Sequence, residues 1–83
     1  EFSLKGTVTD TATGTPLADA EVLIPELGQS TFTDADGSYI FGLQPAGSYT
    51  LRVSKAGYLP QDVPVTITAG SVATVDVQLK TEV

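Results

Sequence analysis

What most constrains this chain is the spacing of its interruptions. Short runs that alternate apolar and polar residues are cut about every ten residues by Gly, Pro, Asp or Ser, and no stretch carries the apolar repeat of an amphipathic helix. Side chains in a strand point alternately to opposite faces, so each segment has one dry and one wet side. The natural closure is two antiparallel sheets packed face to face at about 10 Å. Seven strands are expected. The first, Phe2 to Thr9, sets Phe2, Leu4, Gly6 and Val8 against Ser3, Lys5 and Thr7. The second, Asp19 to Ile24, sets Ala20, Val22 and Ile24 against Glu21 and Leu23, and Pro25 ends it. A short third covers Ser30 to Thr33, and a fourth, Ser38 to Leu43, turns Tyr39 and Phe41 inward and Ile40 outward. The fifth, Ser48 to Lys55, alternates most clearly, with Tyr49, Leu51 and Val53 inward. The sixth carries Val63, Val65 and Ile67, and its Pro64 marks a sheet edge or a bulge. The last sets Ala73, Val75, Val77 and Leu79 inward and Thr74, Asp76, Gln78 and Lys80 outward.

Eighty-three residues support one core, and a chain of that size buries only about 60% of its unfolded surface. There is no cysteine, so no disulfide braces the fold, and the redox compartment is left open. Ten acidic residues face four basic ones, for a net charge of -6. The cations Lys5, Arg52, Lys55 and Lys80 are scattered, whereas phosphate backbones are bound by clustered Lys and Arg, so nucleic acid is not an expected partner. No apolar run approaches the ~20 residues of a membrane-spanning helix, and no leader pattern opens the sequence. The expectation is a single domain excised from a larger protein, without membrane insertion.

Residues Thr33–Phe41, TDADGSYIF, offer the one motif that resembles a metal loop. An EF-hand loop needs glycine at its sixth position and a bidentate Glu at its twelfth. Counted from Asp34, the glycine falls at position four and Pro45 at position twelve, so the register fails. The favoured account is a turn in which Asp side chains bond nearby N–H groups and Gly37 supplies a positive φ; a weak, adventitious calcium site at Asp34 and Asp36 is the minor alternative. With neither His nor Cys in the sequence, Ser-His-Asp and Cys-His catalysis and the usual zinc sets cannot be assembled. Asp10, Asp19, Asp34, Asp36 and Asp62 fall at turns or strand ends, where Asp is favoured for local hydrogen bonding. No catalytic, cofactor-binding or metal residues are therefore assigned. Sugar stacking would require exposed aromatic rings. Trp is absent, most aromatic residues lie on the apolar side of their strands, and only Phe32 and Tyr58 are candidates. A strand-bracing isopeptide bond would need buried partners, whereas Lys5 and Asp76 fall on polar faces.

The punctuation taken together is specific. Gly6-x-Val8-x-Asp10, Pro16-Leu17 with Ala20-x-Val22, Thr33-Asp34-x-Asp36-Gly37-x-Tyr39-x-Phe41, Gly47-x-Tyr49 and Gly57-Tyr58 occur in order between Leu4 and Lys80. This resembles the carboxypeptidase regulatory-like domains. The resemblance implies an all-β, seven-stranded antiparallel Greek-key sandwich of transthyretin-like type, in which TDADG connects strands; the residues themselves point to Tyr58 plugging one end, its ring packed and its hydroxyl on a nearby carbonyl. The resemblance also implies a non-catalytic accessory module of a secreted, periplasmic or cell-surface protein, acting as spacer, stabiliser or interaction domain on neighbouring domains. A carbohydrate- or peptide-binding module, with a glycan or another protein as partner, is the alternative.

Overall fold

The computed structural model describes residues 2–82, and of Phe2 the backbone alone. The expected inward placement of the Phe2 ring therefore lies outside the described residues. Among the described residues eight strands form: β1 (Phe2–Asp10), β2 (Glu21–Ile24), β3 (Gln29–Phe32), β4 (Ser38–Gly42), β5 (Gly47–Ser54), β6 (Gln61–Ile67), β7 (Ala73–Thr74) and β8 (Val77–Leu79). They build two sheets, one ordered β3-β2-β5-β6, the other with β1 between β4 on one side and β7 and β8 on the other. The architecture is the all-β sandwich that alternation predicts.

In the first of these sheets short connections join β2 to β3 and β5 to β6, while the chain passes through β4 of the other sheet between β3 and β5. Pro25 cannot continue the ladder, so the chain leaves β2 through one 3-10 turn, Pro25–Leu27, and Gly28 at φ 63° returns it into β3. Pro64 sits in β6, an edge strand, opposite Thr50. The Thr50 N–H points away from β6, towards the Glu26 carboxylate. In an antiparallel ladder both members of such a pair direct their backbone groups outward, so Pro64 occupies the one kind of position where no N–H is needed.

The core lies between the sheets. Val22, Ile24, Leu51, Val53 and Val65 from one side meet Leu4, Val8, Tyr39, Phe41, Val77 and Leu79 from the other. The Tyr39 and Phe41 rings meet edge to face, with centroids 6.3 Å apart. Burying an aliphatic side chain contributes about 1.5–3 kcal/mol, so this single layer carries the fold.

Two local departures from simple alternation have identifiable causes. A register shift between Phe2 and Leu4 in the β1–β4 pairing turns Ser3 inward, where its hydroxyl accepts the Gln44 N–H at 2.9 Å. The expected last strand forms as two pieces, and both run parallel to β1: Leu4 and Lys5 pair with Ala73 and Thr74, and Val8, Thr9 and Asp10 with Val77, Gln78 and Leu79. All other strand pairings among the described residues are antiparallel. Because the first and last strands run the same way, the start of β1 and the end of β8 lie at opposite poles. The long dimension is 38 Å, against 21 and 16 Å across. Nine residues of β1, at about 3.3 Å each, span most of it.

Candidate functional site

The acidic residues have a common occupation. Four of them, Asp10, Glu26, Asp34 and Asp76, accept backbone N–H groups that the sheet ladders leave unpaired. In TDADG, Asp34 Oδ1 accepts the N–H groups of Asp36 at 2.9 Å and Ser38 at 3.0 Å, and its own carbonyl accepts from Gly37. Gly37 has φ 74°, and a Cβ there would come within 2.7 Å of the Val8 carbonyl oxygen. The Gly37 carbonyl in turn accepts the Val8 N–H at 2.8 Å. TDADG is thus a turn locked onto β1, with one oxygen of Asp34 engaged by two amides. Among the described residues, no three acidic side chains converge as a metal set.

Asp10 does the same at the end of β1, with Oδ1 accepting from Ala12 at 2.7 Å and Thr13 at 3.1 Å. Its other oxygen accepts the Tyr58 hydroxyl at 2.7 Å. The hydroxyl partner expected from the sequence was a carbonyl; the structure corrects this to a carboxylate, because the Asp10 turn brings Oδ2 over the residues 55–60 loop. That bond, followed by the bond from Ala12, holds the Asp10 carboxyl below its ordinary value of 3.8. The same bond raises the Tyr58 phenol above 10.0. Tyr58 is half-buried against the core and bridged to Thr81, and Leu59 N–H donates to the Lys80 carbonyl, so this loop also fastens the C-terminal tail.

The sugar-stacking pair does not form a platform. Phe32 is 60% exposed on edge strand β3, while the Tyr58 ring packs inward with its hydroxyl committed to Asp10. Lys5 and Asp76 are exposed, as strand parity requires, and the Asp76 carboxylate is occupied by Thr7. Two residues that sequence reasoning passed over hold the β1–β2 connection. Buried Thr33 donates through Oγ1 to the Leu17 carbonyl at 2.6 Å and accepts the Ala20 N–H at 2.9 Å, and Lys55 Nζ donates to the Ala18 carbonyl at 2.7 Å. The only sequence signal for Thr33 was its position beside the Asp34 turn.

The most constrained place in the molecule is the break between β7 and β8. Gly6, in mid-β1, pairs with Tyr39 of β4. With no side chain there, the Tyr39 hydroxyl reaches across β1 and donates to the Val75 carbonyl at 2.6 Å. A Cβ on Gly6 would overlap that carbonyl oxygen and lie 2.8 Å from the Tyr39 hydroxyl. Turned inward, the Val75 carbonyl is lost to the ladder. Asp76 Oδ1 takes its place, accepting the Thr7 N–H at 3.1 Å and the Thr7 hydroxyl at 3.0 Å. Burial, then the nearby Asp76 charge, raises the Tyr39 pKa strongly, so the phenol stays protonated and donating.

The family model for the carboxypeptidase regulatory-like domain matches residues 3–80. The chain belongs to that family. No curated protein matches the sequence. Among solved structures, this carboxypeptidase regulatory-like domain is similar to the Bacillus anthracis TIE protein, with TM-score 0.76 and 21% identity over 96% of this chain and 16% of that one. It is also similar to a chain of a type II cohesin-X-dockerin complex from Acetivibrio cellulolyticus (TM-score 0.71, 23% identity, 93% of this chain and 53% of that). A minor pilin of Streptococcus agalactiae matches with TM-score 0.68 and 22% identity, over 96% of this domain and 45% of the pilin. The domain thus spans about half or less of the chains it matches, and the likeness is one of fold.

Proposed function

We propose that this carboxypeptidase regulatory-like domain is a non-catalytic, in-line spacer within a larger exported protein, holding its neighbours apart and in fixed orientation. The observation that carries this is the parallel pairing of β1 with β7 and β8, which sends the chain in at one pole and out at the other, along a 38 Å axis. Chain ends that emerged side by side would make a lateral appendage instead. The acidic residues support the same reading, since Asp10, Glu26, Asp34 and Asp76 each serve the backbone by accepting its N–H groups. Similarity to the pilin and to a chain of the cohesin-X-dockerin complex supports an extracellular or cell-surface setting.

A fusion with one rigid reference protein at each end tests it. Small-angle scattering should show the two separated by the added length of the domain, about 38 Å. References folded back beside each other would contradict the proposal. The second reading, peptide recognition, is favoured by one feature: β3 is an open edge that exposes Phe32. Amide shifts confined to residues 29–32 on adding extended peptides would support it.

A further inference from the structure

We infer that the β1–β7–β8 seam is a force-bearing clamp, built to resist tension applied through the two ends of the domain. Its use in a parent protein rests on the in-line reading above; the mechanical property does not. Tension on the start of β1 and the end of β8 acts in opposite directions along two parallel neighbours. The strands must therefore slide past each other, which loads all the bonds between them together. In an antiparallel pair pulled from adjacent ends, the bonds would open one after another.

A seam interrupted in its middle should be the weak point of this arrangement, yet the interruption is where it is most interlocked. The Val75 carbonyl sits in the notch that Gly6 leaves on the inner face of β1, and the Tyr39 hydroxyl holds it there from the far side. Along that face the notch is bounded by Leu4 and Val8, both wholly buried. End-to-end tension draws the last strand towards the Val8 side, so the carbonyl must climb out of its notch against a packed side chain. Meanwhile the Val75 N–H donates to the Lys5 carbonyl at 2.8 Å, and Asp76 grips Thr7 through two bonds. Three strands are thus pinned at one level by backbone, side chain and shape.

The test is direction-dependent unfolding of single molecules. Because the chain has no cysteine, handles can be placed uniquely. In the first geometry, cysteines appended at the two ends load the seam in shear. In the second, Ala12→Cys with Glu82→Cys places both handles at the same pole and peels β8 from β1. We expect the shear rupture force to exceed the peel force several-fold at the same loading rate. Tyr39→Phe and Asp76→Ala, neither of which adds volume, should lower the shear force and leave the peel force nearly unchanged. Val22→Ala in the other sheet should lower the melting temperature with a smaller loss of shear force. Equal forces in the two geometries would overturn the inference, as would Tyr39→Phe and Asp76→Ala tracking their melting temperatures as Val22→Ala does. Neither result would touch the in-line reading, which the scattering experiment tests separately.

Discussion

Each of the two sheets has a place where its ladder fails, and each repairs it with a carboxylate, but the repairs are of different kinds. In the β3-β2-β5-β6 sheet, β2 ends at Pro25 and leaves the Thr50 N–H of β5 without a strand beside it; Glu26 covers it at 3.2–3.3 Å from an exposed turn. That gap lies at the end of a strand, and water would fill it as well. In the other sheet the gap lies inside the seam, and the Val75 carbonyl is pulled inward to a buried phenol before Asp76 takes over its ladder position. A terminal gap is an exposed cap; an internal one requires a glycine, a tyrosine and an aspartate acting together. The same chemical group therefore matters little in one sheet and much in the other.

The comparison breaks most visibly at Gly6. Gly6→Ala puts a methyl group where the Val75 carbonyl lies, and should destabilise by about 3 kcal/mol or prevent folding, since overpacking typically costs 1–3 kcal/mol and more where backbone must move. A urea midpoint unchanged from the parent would show that the notch is not needed. Tyr39→Phe comes next. It leaves the inward carbonyl without its donor, at about 1–3 kcal/mol. Asp76→Ala should cost about 0.5–1.5 kcal/mol, and Thr7 amide exchange should quicken locally. Glu26→Ala, which likewise removes the acceptor, should fall within about 0.5 kcal/mol of the parent. Equal losses for Asp76→Ala and Glu26→Ala in parallel urea melts would erase the distinction between an internal and a terminal gap.

A third carboxylate, Asp10, sharpens the picture through pH. Its carboxyl is held below 3.8 in the folded state, chiefly by Tyr58, so its contribution is complete above that value and lost as pH falls through the lower, folded pKa. The Tyr58 phenol is raised above 10.0, so its contribution is complete below that pH and lost as pH rises through the folded pKa. Tyr58→Phe should therefore flatten the stability profile at both extremes while leaving its neutral plateau lower. A Tyr58→Phe profile parallel to the parent's below pH 3.8 would show that the bond does not hold the Asp10 carboxylate.

Much of this was legible in the residues. The alternations in EVLI, SYIFG and TLRVS report their own burial, because in a half-buried strand the sequence period and the structural period are the same two residues. The TDADG turn was legible for a related reason: Asp and Gly act there on amides two to four residues away. The break in the last strand was not. Ala73, Val75, Val77 and Leu79 alternate without interruption, and the cause lies on Tyr39, which is distant in sequence and reaches its target only because residue 6 has no side chain. A glycine inside an otherwise regular strand was the available signal for a close backbone approach. The Asp10–Tyr58 bond and the Thr33 clamp likewise join residues far apart in the chain, and local pattern carries no trace of such meetings.

The measurement that bears most directly on the whole account is the distance between spin labels on Lys5→Cys and Glu82→Cys, read by pulsed dipolar spectroscopy. A last strand running parallel to the first carries residue 82 beyond the end of β1, so the labels should lie more than about 20 Å apart, from a rise of about 3.3 Å per residue. A last strand returning antiparallel would bring them within about 15 Å. That result would contradict the in-line domain and the clamp together.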